Sequence, residues 1–179
     1  MRLPTVLSEQ TIARSRFFTV QSRDLEFSNG EKRTYERLLP GAREAVIVVA
    51  CNDQGQVLLI REYAAGFHEN QLTLPKGAVD PGETIEAAAS RELAEEVGFA
   101  ARKTEFVKKL SLAPGHMGFT INVVFATDLY PKTLPGDEPE PPEVVPWNIN
   151  DLPALVESDQ FNEARAIAAL TLCSKHMSR

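Results

Sequence analysis

The stretch Gly77 to Phe99, GAVDPGETIEAAASRELAEEVGF, carries the densest information in this chain. Asp80-Pro81-Gly82 reads as a turn, because proline presets one turn dihedral and glycine tolerates a positive φ. From Thr84 to Val97 there is neither glycine nor proline. Ile85, Ala89, Leu93 and Val97 recur every four residues, which makes one apolar stripe of a helix facing a core. Gly98 supplies the stop. Beside the stripe, Glu92, Glu95 and Glu96 stand at i, i+3 and i+4, so three carboxylates project from one face. Paired glutamates on a helix are most often a solvated surface. Three like charges this close repel and hold protons more tightly than usual unless a cation stands among them. Oxygen donors without histidine or cysteine suit Mg²⁺ or Mn²⁺ rather than Zn²⁺. Arg91 is the cation that can clamp and orient these carboxylates, while Glu83 and Glu86 fall near the positive helix N-terminus.

On the N-terminal side of this helix, Ala45 to Ala50 and Gln56 to Arg61 are apolar, β-branched runs separated by Asn52-Asp53-Gln54-Gly55. They read as a hairpin of buried strands that begins the core sheet. Before them lies a predicted β-meander of Phe17 to Val20, Asp24 to Phe27 and Arg33 to Leu38, with Ser28-Asn29-Gly30 as the turn between the last two. On the C-terminal side, strands are expected at Phe106 to Leu110 and Ile121 to Thr127. The proline-rich acidic segment from Pro131 to Pro146 cannot be helical and reads as a loop feeding a short strand near Val144 to Trp147. Helices at Leu152 to Glu157 and Asn162 to Met177 close the chain. Tyr35, Phe67, Phe119 and Trp147 are read as core aromatics rather than ligand contacts.

A length of 179 residues suits one well-buried domain, with or without a small extension. A hydrophobic fraction of 43% and a charged fraction of 25% place it with globular chains rather than disordered or membrane ones. No apolar run approaches the roughly 20 residues that span a bilayer, and no signal peptide opens the chain, so a cytoplasmic protein is expected. The net charge of −6 and the scattered lysines and arginines argue against a polymeric nucleic-acid partner. An acidic chain can still act on an anionic small molecule when bound cations bridge the two. Cys51 and Cys173 lack metal-ligand spacing and are expected to be free, buried thiols.

The frame around the glutamates is more specific than their spacing. Gly77 is followed after five residues by Glu83 and after seven more by Arg91, then by Glu92, Leu93, Ala94, Glu95, Glu96, Val97, Gly98 and Phe99. At average residue frequencies, seven fixed residues in one frame arise by chance in roughly one such chain in a million. The pattern resembles the Nudix box, G-x5-E-x7-R-E-U-x-E-E-x-G-U with U apolar, at every specified position. Phe99 is aromatic where an aliphatic residue is more usual. The resemblance implies an α/β fold: a Nudix α/β/α sandwich around a mixed sheet, residues 46–179, with an N-terminal antiparallel β-extension, residues 1–45.

The same resemblance implies Mg²⁺, with Mn²⁺ as a substitute, held by Glu92, Glu95, Glu96 and the backbone carbonyl of Lys76. Arg91 and Glu95 belong to its catalytic set. Outside the box the likeness is to the ADP-sugar branch, and especially to ADP-compounds hydrolases. These cleave ADP-X substrates (ADP-ribose, NADH, diadenosine triphosphate) to AMP and X-phosphate. Pro114, fifteen residues beyond Phe99, and Arg61, which opens Arg61-Glu62-Tyr63-Ala64-Ala65-Gly66, match positions implied to bind substrate. Many ADP-ribose enzymes carry arginine where this chain has Ala64, which speaks against strict ADP-ribose specificity. In the branch resembled, the acidic loop supplies the glutamate that activates water, and alignment puts Glu140 nearest that position, with Glu138 in reserve. Leu74-Pro75-Lys76-Gly77 leaves open a nucleoside-triphosphate or long dinucleoside-polyphosphate pyrophosphatase. A non-catalytic nucleotide-sensing module is disfavoured, because every box carboxylate is present. A homodimer built partly from residues 1–45 is expected, since a small meander has little against which to bury its second face.

Overall fold

A computed structural model describes residues 2–41 and 43–177, and contacts divide the chain into two units. One is Met1–Ala42 with Ser111–Thr120; the other is Arg43–Leu110 with Ile121–Arg179.

The larger unit is organised by two strands with almost no water on either side. In β4 (Ala45–Ala50) every residue from Val46 onward is fully buried, and in β5 (Gln56–Ala64) so are Val57, Leu59 and Ile60. Strands apolar on both faces belong in the middle of a layered fold. β4 pairs in parallel with β9 (Thr120–Pro131) and antiparallel with the short β7 (Lys76–Ala78). With β8 (Phe99–Ser111) these form a four-stranded mixed sheet in the order β7-β4-β9-β8. β5 joins a different, antiparallel sheet, between β6 (Glu69–Thr73) and β10 (Glu143–Asn148).

The expected β4–β5 hairpin is therefore only half present. The chain does reverse at Asn52–Gly55, where Asn52 Oδ1 accepts from the Gln54 and Gln56 amides and Gly55 has φ +71°. A single Cys51↔Val57 bridge follows, and then the strands diverge into separate sheets. Each has better partners elsewhere: β4 exchanges a five-residue ladder with β9, and β5 a six-residue ladder with β10.

Alternation along β4 sends its two faces to two helical layers. Val46, Val48 and Ala50 share one buried cluster with Val124, Ala126 and with Ala88, Ala89 and Leu93 of α1 (Ile85–Glu96). On the other face, Phe125 of β9 meets the ring of His176 in α3 (Ala164–Met177), centroids 5.2 Å apart. This is the sandwich expected, a mixed sheet with helices. Thr84 caps α1 by accepting from the Ala87 amide at 3.1 Å, and Gly98, at φ +75°, takes the left-handed position that ends it. A short helix α2 (Leu152–Glu157) precedes α3. Among the described residues no helix is long and apolar enough to cross a membrane. Cys51 and Cys173 are free, the first half-buried and the second buried.

The smaller unit is a three-stranded antiparallel sheet of β1 (Thr5–Arg14), β2 (Thr19–Glu26) and β3 (Lys32–Leu38). Two expected strands, Phe17 to Val20 and Asp24 to Phe27, are one strand here. Phe17 and Phe18 stand exposed in a turn that Ser15 Oγ holds by accepting from both their amides. β1 was not anticipated, and all ten of its residues are exposed. The turn at Asn29-Gly30 is as read, with Gly30 at φ +83°. None of the four aromatics expected in the core is buried: Tyr35 lies on this thin sheet and Phe67 in the turn before β6, both exposed, while Phe119 and Trp147 are only half-buried.

Leu93 is the largest α1 side chain at zero exposure. Replacing it with alanine should cost about 2–5 kcal/mol, the range for deleting a well-packed leucine. Urea denaturation of Leu93→Ala checks this; a loss under about 1 kcal/mol would mean that α1 is not anchored through this residue.

Candidate active site

Arg91 gathers the carboxylates of the motif. Its Nε donates to Glu83 Oε1 at 3.1 Å, and its Nη1 to Glu92 Oε1 at 2.8 Å and Glu95 Oε2 at 2.9 Å. Its Nη2 donates to the Ala78 carbonyl at 2.7 Å and to Glu83 Oε2 at 3.1 Å. A planar guanidinium has the donors to serve all four at once, where an ammonium has not. Its own proton is held more tightly than in free arginine, mainly through the bonds to Glu83. The turn, strand β7 and the helix are thus tied to one side chain.

Glu96 is handled differently. Its Oε2 accepts from the Lys76 amide at 3.0 Å, and the Lys76 ammonium pairs with Glu62 on β5. Burial pushes the Glu96 carboxyl up to about 8, against the pull of Lys76. Burial also raises Glu92; Arg91 opposes that rise, while Glu95 and Asp137 add to it. Any side chain at Gly77 would collide with the Glu92 carboxylate, so the strand backbone lies directly on it.

Three carboxylates on one helix face, set against the bare backbone of β7, are a donor set that fits a hard divalent cation. In this structure Arg91 holds two of them, and no three acidic, histidine or cysteine residues among those described converge on one cation position.

The acidic loop reaches the site from the other side. The Leu134 amide donates to the Ala94 carbonyl on α1 at 2.9 Å, and Glu143 accepts from Arg61 Nε at 3.1 Å across the β10–β5 ladder. Between these anchors, Glu138 and Glu140 line a cavity of about 490 Å³ with Arg61, Glu62, Tyr63 and Asn70. The loop carboxylate whose charge reaches Glu92 is Asp137, which the sequence reading passed over. It stood in the acidic run, but its nearness to Glu92 comes from the tertiary fold, which no local spacing reports. Pro114 lies in the smaller unit, at a cavity of about 360 Å³ that also touches Arg23, Tyr35, Arg37 and His116. A roomier cavity of about 560 Å³ near Leu152, Val156 and Leu170 has Glu157 as the only charged residue among its described lining and lacks comparable chemistry.

With the geometry in place, sequence comparison defines the class. The NUDIX domain matches residues 41–170, and the NudE-type Nudix hydrolase N-terminal domain matches residues 4–37. The chain belongs to the Nudix hydrolase family, whose members generally use divalent metal ions. Within that family it is 51% identical to the ADP compounds hydrolase NudE of Escherichia coli (strain K12), over 96% of this chain and 92% of that one. It is 29% identical to the ADP-ribose pyrophosphatase of Bacillus subtilis (strain 168), over 92% of this chain and 91% of the relative. A crystal structure of an ADP compounds hydrolase superposes with a TM-score of 0.94 at 49% identity, covering 99% of this chain and 96% of that one.

The raised Glu96 value gives a pH signature. Between its ordinary value of 4.5 and about 8, folded metal-free protein keeps a proton that the unfolded chain has released. Stability from this group is therefore complete below about 4.5 and lost as pH rises through about 8. Metal-free parent protein should lose stability relative to Glu96→Gln across that window, as read by denaturation midpoints. A pH-independent difference would show that Glu96 ionises normally.

Proposed function

We propose that this protein is a Mg²⁺-dependent pyrophosphohydrolase that cleaves ADP-X compounds to AMP and X-phosphate. The observation that carries the proposal is that Glu92, Glu95 and Glu96 share one face of the C-terminal half of α1, with Arg91 bonded to the first two and the Lys76-Gly77 backbone against Glu96 and Glu92. The names of the relatives support the substrate class. When bound, the cation offsets phosphate charge and lowers the pKa of an attacking water.

The chain's own residues have the following roles in this proposal. Glu92, Glu95, Glu96 and the Lys76 carbonyl hold the metal. Arg91 keeps Glu92 and Glu95 from splaying apart. Glu140, or failing it Glu138, takes the proton from the attacking water, and the anchored loop keeps both beside the cavity. Arg61, in that cavity, contacts substrate, as does Pro114 on the family likeness. The protein acts in the cytoplasm as a homodimer.

Two measurements follow. With Mg²⁺, ADP-ribose, NADH and diadenosine triphosphate should release AMP faster than ATP does. In the same assay Glu140→Gln should lower kcat by about 10²- to 10⁴-fold with little change in KM, the usual contribution of a general base. If ATP is preferred, the substrate class is wrong; if neither Glu140→Gln nor Glu138→Gln lowers kcat more than a few-fold, the base lies elsewhere.

The dimer is supported by β1, where Val6, Leu7 and Ile12 each leave about half their surface to solvent. Light scattering of active protein at micromolar concentration should give twice the mass of 19.8 kDa, and a monomeric mass would end the dimer proposal.

A further inference from the structure

Lys76 is attached to the site at two points. Its amide donates to Glu96 Oε2 at 3.0 Å, and its ammonium pairs with Glu62. Both side chains are largely covered, 15% exposed for Lys76 and 25% for Glu62. A lysine ammonium is a compact charge on a flexible stem, and this stem starts at a residue already touching Glu96. An ammonium and a divalent cation compete for the same carboxylate oxygens, and in a poorly hydrated corner either contact is strong. Besides burial, Glu96 feels both members of the pair: Lys76 favours its ionised form and Glu62 opposes it. Among the described residues the Glu62 side chain has no other hydrogen-bond or ion-pair partner, and it sits on β5 rather than on the motif.

We infer that Glu62 is a positioning residue that holds the Lys76 ammonium away from Glu96 and so leaves that carboxylate to the metal. The inference rests on the proposed role of Glu92, Glu95 and Glu96 as cation ligands. It differs from a purely structural role for the ion pair in the sign of its second-site effects. If the pair were only a strut between β5 and β7, losing either partner would harm the site and losing both would harm it no less. If Glu62 restrains a competitor, removing Glu62 alone frees the ammonium to occupy Glu96, and removing Lys76 as well takes the competitor away.

The test is Mn²⁺ binding to metal-stripped, full-length protein by electron paramagnetic resonance, with thermal unfolding run on each variant. Glu62→Gln should weaken Mn²⁺ binding by about 10- to 100-fold, the usual effect of disturbing a group that holds a metal ligand in place. Lys76→Met should bind at least as tightly as the parent, and adding it to Glu62→Gln should return most of the lost affinity. In turnover assays, Glu62→Gln should shift the metal dependence to higher concentration. Parent-like Mn²⁺ affinity in Glu62→Gln, or a double variant as weak as the single one, overturns the inference. Should Glu62→Gln fail to fold, Lys76→Met decides alone, since loss of affinity there overturns it too. Glu96→Gln separates this failure from that of the underlying proposal: if it binds Mn²⁺ as the parent does, the carboxylate site itself is wrong and Glu62 falls with it.

Discussion

The Arg91 guanidinium is the interaction on which the rest of the site depends. Glu83 enters from the turn, Glu92 and Glu95 from the helix and the Ala78 carbonyl from β7, and one side chain bonds them all. Without it, three negative charges would face each other at the edge of an apolar cluster, and each would seek water by fraying the helix or the turn. The constraint also explains why the intervals of the motif are fixed. Gly77 must lie flat on Glu92, Glu83 must return to the middle of the helix, and Arg91 must stand one residue before the carboxylates it serves. Moving Arg91 or a helix glutamate by one position rotates it about 100° around the helix axis.

Even with this clamp the corner disfavours charge, first of all because it is buried. Glu92 and Glu96 are both pushed toward their protonated forms, and the acidic loop brings Asp137 close enough to add to the pressure on Glu92. A chain rarely concentrates carboxylates beside a core without a compensating group. Here the loop is pinned on one side to α1 through Ala94 and on the other to β5 through Arg61, so the crowding is part of the architecture. That is the electrostatic setting expected of a protein whose substrate carries phosphates and whose cation must bridge like charges.

What could be read from sequence was whatever sits in a local frame. The helix, its stop at Gly98, the carboxylate face and the arginine follow from intervals of three and four residues. β4, β5 and β9 follow from continuous apolar runs. What could not be read depends on partners far along the chain. β1 shows no core-facing alternation because all ten residues are exposed, and β7 is three residues whose strand character comes from Ala45, Val46 and Ile47. Asn52–Gly55 announces a reversal but not that the strands it joins belong to different sheets. Asp137 comes near enough to act on Glu92 from a loop far along the chain, and the ion pair of Glu62 joins two residues with no shared motif.

The parting of β4 from β5 also bears on how the protein acquires its structure. The ladder that completes the mixed sheet joins Val46 to Asn122 and Ala50 to Ala126, with the whole motif helix threaded between them in sequence. β10 closes the second sheet onto β5 from as far away, Glu143 opposite Arg61. Neither sheet can be completed by zipping up a local hairpin, so much chain entropy is lost before the compensating contacts form. Long-range pairing of this kind slows folding relative to local hairpins, and during synthesis β4 and β5 leave the ribosome before β9 and β10. In that interval two strands built to be covered on both faces have exposed edges, and this is the period in which the chain most needs protection from its own copies.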